Sequence, residues 1–220
     1  MAAPNRLHWG ESNTAMLDFD AFRGVPLDRD PFDHLVVPGF LTPEALRGAR
    51  EDFPKIARAG LFPLSALSYG PRFAALIETI QGPEIEAAFS EKFGLDLSGN
   101  PLMVTVRGRC RNKEGRIHTD TETKIVTALL YLNEAWRDGG GRLRLLRGPG
   151  DLDDVIGEVP PDGGTLIAFR RSENSWHGHA PYEGERRYVM FNWMASTTAA
   201  ARELARHRAS ARIKRFLPFA

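Results

Sequence analysis

Cysteine occurs once in the chain, at Cys110, so no disulfide can close within it and a covalently stapled scaffold is excluded. Such sparing cysteine usage fits a reducing compartment, with Cys110 expected to pack rather than react. Surplus charge is also scarce. The 29 Lys and Arg residues nearly balance 28 Asp and Glu, for a formal net charge of +1. No global field therefore argues for nucleic acid or a membrane as partner. Long apolar runs are missing too. No stretch approaches the ~18 residues of a spanning helix, and Met1-Ala2-Ala3-Pro4-Asn5-Arg6 lacks the apolar run of a signal peptide. The expectation is a cytoplasmic protein.

What remains has the make-up of an ordinary globular domain, with 42% hydrophobic and 26% charged residues. A length of 220 residues suits one core, since single cores stop growing only beyond ~250–300 residues. We expect one domain over 1–220 in three regions: a strand and supporting helices over 1–100, a β core over 101–195, and a basic helix over 196–220. Residues 1–30 show little periodicity and are expected to wrap the surface. Residues 32–37 read as a strand stopped by Pro38-Gly39. Thr42-Pro43-Glu44 has the form of a helix start, with hydroxyl cap, first-turn proline and an acid near the positive end of the dipole. Helices are predicted over 43–58, 71–81 and 83–93, with Gly60, Gly82 and Gly94 near their ends.

After Asn100-Pro101 the pattern shortens. β-branched or alternating runs at 102–110, 116–120, 124–133, 142–147, 164–170, 176–180 and 187–194 are parted by Gly, Pro and Asp clusters. Many short strands so spaced predict a jelly-roll or barrel-like double sheet, braced on one outer face by the preceding helices. Helical periodicity returns over 197–217 through Leu204, Ala205, Ala209, Ile213 and Phe216. There Arg202, Arg206, Arg208, Arg212, Lys214 and Arg215 face a single acid, Glu203, a pattern usual for a solvated helix face.

His118-Thr119-Asp120 sets an imidazole and a carboxylate two residues apart, which on a strand sends both to one face. A third ligand must come from elsewhere, and His177 is the candidate. Two histidines and one carboxylate on an octahedral face form the site favoured by non-haem iron(II), with three positions open. A keto acid can take two of these and dioxygen the third. The far carboxylate of such an acid needs a fixed cation. Arg186 and Arg187 stand at the start of the strand read over 187–194, and arginine's planar fork grips carboxylates where lysine cannot. Only one of the two can point inward. Val189 and Trp193 on the Arg187 face suit a confined pocket, so Arg187 is favoured over Arg186.

These residues bring the chain close to a known family. It resembles the iron(II)/2-oxoglutarate dioxygenases, especially their prolyl-4-hydroxylase-like branch, from about residue 102 to 194. The elements that carry the resemblance appear in order: His118-Thr119-Asp120, the Thr127–Asn133 run ending Tyr131-Leu132-Asn133, Gly140-Gly141-Arg142-Leu143, the Gly163–Phe169 run, His177 with Pro181, and the arginine pair. The resemblance implies an α+β, mainly β fold around a double-stranded β-helix, a relative of the jelly roll and the cupins. It implies Fe(II), 2-oxoglutarate and O2 as co-reactants, and hydroxylation of a C–H bond with release of succinate and CO2. It also assigns Tyr131 to the distal carboxylate of 2-oxoglutarate.

Other positions keep two readings. His179 competes with His177 as ligand, but it falls where the family often has an apolar residue and is expected to line the pocket. Prolyl hydroxylases often carry a tyrosine where this chain has Arg107, which points away from a prolyl peptide. Arg107 and Lys124 either meet substrate or face solvent. The cluster Arg107, Arg109, Arg111, Lys113 and Arg116 hints at an anionic substrate, whether a small molecule or a protein. His8, His34 and His207 lack ligand-like company and are read as surface or loop residues. Two rival classes stand beside the enzyme: a non-catalytic keto-acid or sugar sensor on the same fold, and an RNA- or partner-binding protein acting through the basic C-terminal helix.

Overall fold

The structure, a computed structural model, describes residues 15–216. His8 and the rest of 1–14 lie outside the described residues, as do the side chains of Ile213, Lys214, Arg215 and Phe216. In chain order the elements are α1 (Phe19–Gly24), β1 (His34–Val37), α2 (Pro43–Glu51), β2 (Phe62–Pro63), α3 (Pro71–Ile80), α4 (Pro83–Phe93), β3 (Leu102–Cys110), β4 (Lys124–Tyr131), β5 (Leu143–Leu146), β6 (Val155–Val159), β7 (Leu166–Arg170), β8 (His177–Gly178), β9 (Gly184–Met194) and α5 (Thr197–Phe216).

The strands form two antiparallel sheets. The larger runs β1-β7-β4-β9-β3-β2 and the smaller β6-β5-β8. Period-2 alternation divides the large sheet's residues between two faces. On one face, register aligns Val104, Phe191, Ala128, Ala168 and Leu35. This face packs against α3 and α4, where Phe89 lies 5.7 Å from Phe191 and 4.7 Å from Trp193, ring centre to ring centre. Phe73, Leu76, Ile80, Phe89 and Trp193 are all essentially sealed from solvent. Emptying one such site, for instance by Phe89→Ala, costs ~3–5 kcal/mol. The helices thus hold the large sheet rigid from behind, while its opposite face carries the polar residues of the site.

Several expectations meet the structure with small changes. The second helix stops at Glu51 rather than near 58, because Pro54 bars the preceding residue from helical backbone. Gly94 ends α4 in the left-handed region at φ 63°. The N-terminal stretch is no mere surface wrap, since Leu17, Phe19 and Phe22 are buried, Phe22 stacking on Phe89 of α4. His34 also departs from its expected surface position. It is buried on β1, its Nδ1 2.9 Å from the Phe32 carbonyl. Strand β6 was not expected, because it is partly exposed and interrupted by Gly157. The run over 116–120 reduces to one bridge, between His118 and His177. Among the described residues, no helix is long and apolar enough to cross a membrane.

Candidate metal centre and active site

Backbone pairing sets His118 and His177 opposite each other. Each donates its N–H to the other's carbonyl at 3.0 Å, and the rings lie 4.3 Å apart. His177 also pairs with Leu145 of β5, so His118 extends the small sheet by one residue. The free nitrogen of each ring follows from its neighbours. His118 Nδ1 lies 2.9 Å from the Arg116 carbonyl and His177 Nδ1 lies 3.0 Å from the Ser175 carbonyl. A carbonyl accepts only from N–H, so both Nδ1 atoms carry the proton and both Nε2 atoms keep a lone pair for a metal. Burial drives the His177 pKa down to about 4, the nearby Asp120 carboxylate opposing only in part. The ring is therefore neutral at pH 7, as a ligand must be.

Asp120 joins them from the chain just beyond His118. One ligand atom from each of His118, Asp120 and His177 lies within 4.8 Å of the other two. Lys124 donates to Asp120 Oδ1 at 2.8 Å and Thr127 to Oδ2 at 2.5 Å. Behind Thr127, Asn192 donates from Nδ2 to the threonine hydroxyl at 2.8 Å. Burial raises the carboxyl's pKa, but the Lys124 ammonium and His177 outweigh it and bring it down to about 2. The donor set is two imidazoles and an ionised carboxylate, with His118 on the exposed side. That set fits a ferrous ion.

A cavity of about 160 Å³ joins these three residues to Lys124, Thr127, Leu129, Arg186, Tyr188 and Met190, and to Arg107, Glu114 and His179. The expected preference for Arg187 is corrected here. Arg186 points inward and is fully buried, while Arg187 pairs with Glu185 at 2.9 Å and lies over Phe53 on the other side. Strand parity explains the difference. Arg186, Tyr188, Met190 and Asn192 share the site face, whereas Val189 and Trp193, which had suggested a pocket, pack with Phe191 against the helices. Arg186 donates from Nε to the Gly141 carbonyl at 2.7 Å and from Nη2 to the Tyr131 hydroxyl at 3.3 Å. Burial raises the Tyr131 pKa to about 12, against the pull of Arg186, so its hydroxyl keeps its proton. Tyr131 is sealed behind Arg186 rather than lining the cavity itself.

His179 lines the cavity beside Arg186 and Arg107, with its Nδ1 2.9 Å from the Ala180 carbonyl. Lys124 and Arg107 both turn inward, which resolves their two readings against solvent. Sequence reasoning passed over Thr127 and Asn192. Their signal was a polar residue at site-face parity in each of two apolar strands. A larger cavity, of about 600 Å³, lies between residues 55–67 and α5 and contains none of the metal-ligand residues. Chemistry rather than size selects the site.

Residues 107–195 match the family profile described as the 2OG-Fe(II) oxygenase superfamily. A prolyl-4-hydroxylase from Pseudomonas putida shares 20% identity at a TM-score of 0.55, over 80% of this chain and 97% of that one. HygX from Streptomyces hygroscopicus, with nickel and 2-oxoglutarate bound, shares 17% at 0.53, over 77% and 84%. A prolyl 4-hydroxylase structure from Phytophthora capsici shares 18% at 0.53, over 83% and 65%. No curated protein sequence matches the chain. Over residues 107–195 the chain thus resembles the 2OG-Fe(II) oxygenase superfamily, and it shares the fold of these solved structures. Its mixed α and β architecture with mostly antiparallel sheets is that of structural neighbours built on a double-stranded β-helix, prolyl-4-hydroxylases among them.

Proposed function

We propose that the protein hydroxylates a C–H bond of its substrate, releasing succinate and CO2, with His118, Asp120 and His177 holding the iron and Arg186 holding 2-oxoglutarate. The observation that carries this is the convergence of both Nε2 atoms and an ionised carboxylate on one cavity with a buried guanidinium. Ferrous iron, when bound, supplies oxygen activation coupled to decarboxylation of the keto acid. The chain's own residues bind, orient and exclude. The carbonyls of Arg116 and Ser175 hold the two imidazoles in the ligating tautomer. Lys124 and Thr127 fix Asp120, and Arg186 offers a two-pronged grip to the distal carboxylate of the keto acid, with Tyr131 bracing the guanidinium from behind. Leu129, Leu143, Tyr188 and Met190 supply apolar walls, limiting water around the reacting centre. We place the whole activity in one domain and in the cytoplasm.

The test is spectroscopic and chemical. Without oxygen, Fe(II) and 2-oxoglutarate added together give a weak visible charge-transfer band, which His118→Ala, Asp120→Ala and His177→Ala each abolish. Admitting oxygen yields succinate even without substrate. A protein that binds 2-oxoglutarate yet forms no succinate is a sensor, not an oxygenase.

A further inference from the structure

Arg107 is the second arginine of the cavity, and neither the metal nor the keto acid calls for it. It stands on β3 directly across from Tyr188 of β9, which in turn faces Tyr131 of β4. Its guanidinium and that of Arg186 lie 5.8 and 5.1 Å from the centre of the Tyr188 ring. All of its hydrogen bonds run through Nη1, which donates to Glu114 Oε2 at 2.5 Å, to the Arg109 carbonyl at 3.5 Å and to Cys110 Sγ at 3.3 Å. Nε is buried with no acceptor among the described residues, and among them no acceptor is seen for Nη2 either. Those two nitrogens form the side edge of the guanidinium, the edge that matches a carboxylate or phosphate. A buried donor left unmatched is costly, so a ligand that satisfies it gains in proportion.

Charge points the same way. The cavity is lined by three cations, Arg107, Lys124 and Arg186, and two carboxylates, Glu114 and Asp120. Lys124 is paired to Asp120, and Arg107 to Glu114. A ferrous ion and the 2-oxoglutarate dianion cancel, which leaves the loaded site with one positive charge in excess. From this we infer that Arg107 is a specificity residue, and that the substrate carries an anionic group, a carboxylate or phosphate, that docks on its Nε–Nη2 edge. An anion docked there would pair with Nε and Nη2 together. Glu114 holds Nη1 while this happens. Its carboxylate also accepts the Arg111 backbone N–H at 3.1 Å, which fixes the anchor. The inference rests on the cavity being the oxygenase site proposed above.

Calorimetry on protein loaded with Ni(II) and saturated with 2-oxoglutarate tests it, with acetate and inorganic phosphate as separate probes. One or both should bind, and which of them does so identifies the group. Arg107→Gln should weaken that binding by about tenfold or more while leaving 2-oxoglutarate affinity unchanged. Arg107→Lys keeps the charge without the planar edge and should recover only part of the loss, which also decides the matter where Gln impairs folding. Arg187→Ala, outside the cavity, should bind as wild type does. Equal anion binding by wild type and Arg107→Gln overturns the inference, as does the absence of binding by either probe when 2-oxoglutarate binds normally. Failure of 2-oxoglutarate itself to bind overturns the reading of the site, and this inference with it.

Discussion

Lys124 and Asp120 form a buried ion pair, 2.8 Å from Nζ to Oδ1, with 8% and 10% of their side-chain surfaces exposed. The lysine therefore shares with any metal the one carboxylate of the ligand set. Two consequences oppose each other. The ammonium orients Asp120, and it also repels a dication. Without metal, Lys124→Met leaves a buried carboxylate with only Thr127 as partner, and breaking such a pair costs about 3 kcal/mol. A bound metal replaces the missing charge. The expected outcome is a metal-free variant that unfolds several degrees below wild type, but gains more from added Ni(II) than wild type gains. Thermal unfolding with and without the ion checks this, and an equal gain in both proteins counts against the shared carboxylate.

Arg186 and Arg187 are adjacent in sequence and opposite in environment. Removing the buried guanidinium takes away a desolvated partner for the keto acid's far carboxylate, an interaction of about 2–5 kcal/mol. Arg186→Gln should therefore raise the 2-oxoglutarate Kd by roughly a hundredfold. Arg187→Ala loses a partly exposed pairing with Glu185 and the stacking over Phe53, both outside the cavity, and should change it by less than about twofold. Titration of the anaerobic charge-transfer band measures both, and a larger effect at Arg187 contradicts the assignment.

Stability should depend on pH through the buried histidines. Burial lowers His177 and His179 from 6.5 to about 4, with Asp120 opposing at the first and Arg186 and Arg107 reinforcing at the second. The unfolded chain takes up these protons first. Their stabilisation is thus complete above pH 6.5 and declines as pH falls toward 4, by up to about 3 kcal/mol for His177. Asp120 does not confuse the window, because its stabilising contribution is lost only below its unfolded value of 3.8. Urea unfolding of metal-free protein at pH 7 and 4.5 should show the decline, and His177→Gln should flatten it. An unchanged slope in that variant would remove His177 as its cause.

The candidate ligand set was legible because each of its residues sits in a short local pattern, and chain pairing at His118 and His177 brings those patterns together. The helices of 71–93 were equally legible from caps and periodicity. The choice between Arg186 and Arg187 was not. Both strand faces hold aromatic and apolar residues, since helices cover one and the cavity opens on the other, so alternation alone cannot say which face is which. A bulge adds to this. Register slips between Arg107 and Arg109 opposite the arginine pair, where counting by twos fails. Asp120 shows the converse case. It converges with His118 although residues 116–120 form no strand beyond the bridge, because Lys124 and Thr127 hold the carboxylate in place from β4.

Gly115 ties the loop before His118 to the far side of the site. It has φ +95°, its carbonyl accepts the His179 N–H at 2.9 Å, and a Cβ placed on it would lie 2.4 Å from His179 Nδ1 and 2.5 Å from the His179 carbonyl oxygen. Neither the backbone oxygen nor the ring, held through Nδ1 by Ala180, can yield cheaply. Gly115→Ala should therefore combine backbone strain of about 1–3 kcal/mol with a displaced loop. Because His118 follows three residues later, metal affinity should fall along with stability, by about tenfold or more. Gly139→Ala is the matched control, since a Cβ there meets nothing within 4 Å. Competition with a chromophoric chelator, read alongside thermal unfolding, separates the two effects. A Gly115→Ala protein that loses stability but binds Ni(II) as tightly as wild type would show that this loop does not position His118.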